Sequence, residues 1–84
     1  MPAGDIETYH ETGQWHNRVE GQSRPIAAYA TKNEAIEAGR MHAVYRALNV
    51  DPRGLCEHII KRMDGTIESR QTYPRSADPR RTPG

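Results

Sequence analysis

Between Gln14 and Glu20 apolar and polar positions alternate, so that Trp15, Asn17 and Val19 fall on one face of an extended segment and His16, Arg18 and Glu20 on the other. The turn signals Thr12-Gly13 and Glu20-Gly21 set this segment off from Ile6–His10 before it and from about Pro25–Ala30 after it. Three short strands are predicted. Pro25 has no N–H to give a ladder, which assigns the third to the start of a strand or to a sheet edge. At Thr31 the period changes. Thr31 followed three residues later by Glu34 is a capping box, hydroxyl to backbone N–H and carboxylate back to backbone N–H, and predicts a helix from Lys32 to about Leu48. Asn49 and Asp51-Pro52 supply its stop. At 100° per residue Ile36, Gly39, Ala43 and Ala47 share a stripe flanked by Ala35 and Val44. Such small residues let a helix axis lie close to a sheet, a packing reason for a mid-helix glycine that otherwise costs roughly 1 kcal/mol against alanine.

Two further β-type runs, residues 55–63 and 66–73, flank Asp64-Gly65, a strong hairpin signal. A two-residue turn pairs Met63 with Thr66 and groups Cys56, His58, Ile60, Ile67 and Tyr73 on one face, burying His58. A three-residue loop with Gly65 left-handed sets Ile67 and Tyr73 beside Ile59 and exposes His58. Pattern alone leaves both open. From Pro74 the composition turns to Pro, Arg, Ser, Asp and Gly without apolar periodicity. The reading is one α+β domain over residues 5–73. An antiparallel sheet of four to five short strands, in the order β-β-β-α-β-β, is covered on one face by a single helix and followed by a disordered Pro/Arg-rich tail, 74–84.

Composition narrows the picture. With 84 residues, 35% hydrophobic content, no Phe and one Trp, the core is thin, so self-association or a partner is expected to help it. Twelve basic against eleven acidic side chains give a net charge of +1, unlike a dedicated nucleic-acid binder, although residues 61–84 carry six Lys/Arg against three Asp/Glu. One cysteine excludes an intrachain disulfide and suits a reducing cytoplasm, and no apolar run is long enough to span a bilayer.

The segments GQWHNRVEG, TKNEAIEAGR, EHIIKRMDGTI and TYPRSADPRRTPG, taken in order, resemble the short bacterial proteins grouped as domain of unknown function 2188. The resemblance spans about residues 5–84. It implies a compact strand-strand-helix-hairpin domain of bacterial, actinobacterial origin, and it brings no catalytic residues. Asn17 stands where that family commonly has an apolar residue, and the loop at 49–55 is longer than usual.

Three chemistries compete with a bland reading of the same residues. Cys56 and His58, two apart on a strand, share a face and form a conceivable nucleophile and base, but a small core thiol and a hydrogen-bonding core histidine explain both. No catalytic residue is assigned and the chain is not expected to be an enzyme. His10, His16, His42 and His58 lie on different elements without ligand spacing, so no metal and no cofactor is assigned. A nucleic-acid surface, the alternative function, would use Arg62, Arg70, Arg75, Arg80 and Arg81. The preferred function is a non-catalytic cytosolic module that binds a protein or a second copy of itself. Its interface is expected on the uncovered sheet face at Leu55, Ile59 and Met63, which lie there if the hairpin has the two-residue turn.

Overall fold

The computed structural model describes residues 4–74. The expected tail, from Arg75 on, lies outside them. Five strands and one helix follow the expected order: β1 (Ile6–Glu11), β2 (Gln14–Val19), β3 (Ala27–Tyr29), α1 (Lys32–Asn49), β4 (Cys56–Lys61) and β5 (Ile67–Tyr73). They form one sheet in the order β3-β2-β1-β4-β5. β3, preceded by Pro25, is an edge strand as its proline requires.

The sheet is mixed, which corrects the expectation of an antiparallel one. β1–β2, β2–β3 and β4–β5 are antiparallel, but β1 and β4 run parallel, with Ile6 opposite His58 and Thr8 opposite Ile60. The reason is the helix. An 18-residue α1 carries the chain back across the sheet, so β4 enters in the direction of β1 and adds to its free edge. The loop after α1 is held by Arg53, whose guanidinium bonds both carboxylate oxygens of buried Asp51 and reaches Asp5 Oδ1 at 3.1 Å. Asp5 also accepts from the Glu57 N–H at 3.0 Å, tying the start of β1 to β4.

At the first hairpin both turn residues have positive φ, 51° at Thr12 and 80° at Gly13, the conformation of a type I′ turn. A β-branched residue is poorly suited to that position, where Asn is favoured. Thr12→Asn is therefore expected to stabilise the domain by about 1 kcal/mol, seen as a higher urea midpoint at unchanged slope. An unchanged or lower midpoint would count against the turn assignment.

The second hairpin combines the two expected registers. Its loop is the three-residue form: Arg62 N–H donates to Thr66 O at 2.8 Å and Gly65 has φ 90°. Lys61 accordingly faces Ile67, but a bulge between Ile60 and Lys61 shifts the register by one, so Ile60 faces Ser69 and Cys56 faces Tyr73. His58 is thus buried, as the two-residue turn required, whereas Ile67 is 40% exposed rather than part of the core. One extra residue reconciles turn and core.

Candidate association surface

The α1 helix begins as its capping box dictates. Thr31 is extended (φ −123°, ψ 155°), its Oγ1 accepts from Glu34 N–H at 3.2 Å, and its own N–H donates to Glu34 Oε1 at 3.2 Å. The face on the sheet consists of Ala35, Gly39, Ala43 and Ala47, with Ala35 in the place expected for Ile36, which is half-buried. Under this seam lie Ile6, Cys56 and Tyr73 and, towards the helix start, buried Trp15 with Lys32 Nζ 5.3 Å from its ring.

A polar centre sits beneath Gly39. Asn17 Nδ2 donates to Ala35 O at 2.8 Å, which leaves Asn17 Oδ1 to accept from Thr8 Oγ1 at 2.5 Å. The single Thr8 proton is spent there, so the 2.7 Å contact between Thr8 Oγ1 and His58 Nε2 requires His58 to donate. His58 is then the Nε2–H tautomer, with Nδ1 bare and unpartnered among the described residues. Burial, with a smaller contribution from the charge of Arg40, lowers its pKa to about 4. The presence of Asn17 where an apolar residue was expected is thereby explained. It joins a strand-to-strand chain of hydrogen bonds and pins the helix to the sheet.

Cys56 is fully buried and its thiol is pushed up to about 11, first by burial. A nucleophile with its base needs the reverse, a depressed thiol beside a readily protonated imidazole. Among the described residues no group of three or more His, Cys, Asp or Glu converges as metal ligands, and no helix is long and apolar enough to cross a membrane.

The uncovered sheet face is a lattice of paired charges and stacked rings. Arg18 Nε donates to Glu7 Oε1 at 2.9 Å while its guanidinium lies 4.3 Å over the Tyr9 ring, and Tyr9 stacks on His16 at 5.3 Å. Lys61 reaches Glu7 Oε2 at 3.6 Å, and Arg70 pairs with Glu57 at 2.7 Å. The interface expected here is not a continuous patch. Ile59 is 2% exposed and offers no surface, Leu55 is half-buried just before β4, and Met63 stands exposed beyond its far end in the hairpin loop. Of the expected nucleic-acid contacts, Arg62 bonds Thr66 Oγ1 and Ile67 O at the hairpin and Arg70 holds Glu57, so the two serve separate local roles. Arg75, Arg80 and Arg81 lie outside the described residues.

An exposed apolar stripe lies on the outer side of α1. Met41, Tyr45 and Leu48 are 65%, 61% and 68% exposed and, with half-buried Val44, line a shallow groove bordered by Arg40 and Asn49. The helix is inverted relative to an ordinary amphipathic one: its buried residues are Ala35, Gly39, Ala43 and Ala47, Ile36 and Val44 are half-buried, and the large side chains of Met41, Tyr45 and Leu48 face out. Sequence reasoning placed Val44 beside the inner stripe and passed over Met41, Tyr45 and Leu48, although the four recur at i, i+3, i+4 and i+7. That spacing was the available signal.

A family model described as an uncharacterized protein conserved in bacteria (DUF2188) matches residues 6–73. The chain belongs to that family. DUF2188 assigns no activity, and no curated protein and no solved structure matches the chain significantly.

Proposed function

We propose that this DUF2188 protein is a non-catalytic self-associating module, two copies meeting through the outer face of α1. The observation that carries this reading is the inverted helix. A thin domain that leaves Met41, Tyr45 and Leu48 in water on one stripe exposes a patch whose natural fate is burial. The stripe offers on the order of 500 Å² of each copy, less than the roughly 800 Å² per partner of a standard interface, which points to a weak dimer with Kd about 10–100 µM. A second copy needs no partner of unlike composition, because the stripe is apolar along its length. The non-catalytic part of the reading is supported by the inert setting of Cys56 and His58. A cytosolic location is supported by the lone free thiol, and an actinobacterial source by the family resemblance over about residues 5–84. Nucleic-acid binding draws less support, since Arg70 is already paired with a carboxylate and Arg62 is engaged at the hairpin.

Sedimentation equilibrium from about 5 µM to 1 mM is expected to show a mass rising from monomer to dimer. Tyr45→Lys, placing a charge in the centre of the stripe, is expected to weaken association at least tenfold, about 1.4 kcal/mol or more, while leaving the unfolding midpoint of the dilute monomer unchanged. A monomeric mass throughout would remove the proposal. Salt-sensitive binding to duplex or single-stranded nucleic acid by that monomer would replace it.

A further inference from the structure

Resting on the self-association reading, we infer that the two copies pack their α1 helices antiparallel about a two-fold axis passing between Val44 and Tyr45. The stripe Met41, Val44, Tyr45 and Leu48 has the spacing apolar, two others, two apolar, two others, apolar, which reads the same from either end. A two-fold axis at its centre sets Met41 against Leu48 of the second copy and Val44 against Tyr45, large against large at each end and medium against aromatic in the middle. Every member of the stripe then has an apolar counterpart, as an isologous interface requires.

Charge selects this direction over the parallel one. Continued towards the helix start, the stripe meets Glu37 and then Glu34, both exposed, with Arg40 beside them. Glu37 is paired with Arg40 of its own helix at 2.8 Å, so parallel packing would set that pair and Glu34 beside their own counterparts and bring the positive helix ends together. Antiparallel packing separates the two Glu37 side chains by about 22 Å along the axis, from fifteen residues at 1.5 Å each. Opposed macrodipoles add in the same sense.

Two single-cysteine additions at exposed positions, Met41→Cys and Leu48→Cys, test the register in the full chain. Cys56 stays in place because it is buried and its thiol is not ionised near neutral pH. Under mild oxidation at about 200 µM, a mixture of the two variants is expected to form a disulfide-linked heterodimer, position 41 of one copy joined to position 48 of the other, in at least tenfold excess over either homodimer. Each variant alone is expected to remain largely uncrosslinked, its two introduced thiols lying about 10 Å apart along the axis. Homodimers from the separate variants, equal amounts of all three products, or dimeric mass without any cross-link would each overturn the antiparallel register while leaving self-association standing. Monomeric mass of the unmodified protein at the same concentration would overturn the self-association reading itself.

Discussion

Gly39→Ala is expected to destabilise the domain by about 2–4 kcal/mol, although alanine is the better helix former by roughly 1 kcal/mol. A Cβ at this position would stand 2.6 Å from His58 Nε2, 2.8 Å from Asn17 Oδ1 and 2.9 Å from Thr8 Oγ1. All three distances are shorter than a carbon and a polar atom tolerate, and none of the three atoms can move alone. Each is committed to a hydrogen bond with another of the set, and Asn17 is further tied to Ala35 O. Either the helix lifts and its alanine seam loses contact, or the network breaks and leaves buried polar atoms unpaired at about 1–3 kcal/mol each. For a domain of this size that is a large share of the total stability. Urea unfolding monitored by Trp15 fluorescence measures it. A variant as stable as the parent, or more so, would mean that the helix has slack over the polar centre.

The second large effect is acid sensitivity from His58. Well above about pH 6.5 the imidazole is neutral in both folded and unfolded chains and contributes no pH dependence. As pH falls through about 6.5 the unfolded chain takes up a proton that the folded chain refuses until about pH 4, because the buried ring would carry its charge away from water and near Arg40. Stability is therefore lost across the window from about 6.5 to 4, by about 3 kcal/mol at its lower end. The loss belonging to Asp51, whose carboxyl is held below its usual range by Arg53, falls below that window, as the pH drops past about 4. Unfolding free energies at intervals of about half a pH unit in the parent and in His58→Gln separate the two. The variant should lose the slope between about 6.5 and 4 and keep the slope below about 4. A parent curve flat between about 6.5 and 4.5 would place His58 in contact with water or with an acidic partner.

How far these features could be read from sequence depended on how local they are. Thr31 and Glu34 are three positions apart and act on each other directly, so the helix start was legible to the residue. Gly39 in a run of alanines correctly signalled a close approach, but not that the approach is to polar atoms. Thr8, Asn17 and His58 come from three strands, and only the strand order shows that they meet. That order rests on which edge β4 joins, a choice made by the path of α1 and leaving no periodicity in the strands. The hairpin registers were each half right because the bulge near Glu68 has no single-residue signature. The outer stripe of α1 was legible by period and was passed over because large apolar residues are normally assigned to the core.

The parallel pairing of β1 with β4 determines how the domain comes apart. On one side of it lies the β1–β2–β3 meander and on the other the β4–β5 hairpin, each closed by short turns, and isolated pieces of this kind are marginal in water. What joins them is a short seam, the helix laid over it, and side-chain links across it: Thr8 to His58, fifty positions apart in sequence, Asp5 to the Glu57 N–H and to Arg53, and Lys61 to Glu7. Neither piece can bury its own face without the other. Unfolding is therefore expected to be a single cooperative event, and a break at Thr8 or His58 is expected to weaken both halves at once.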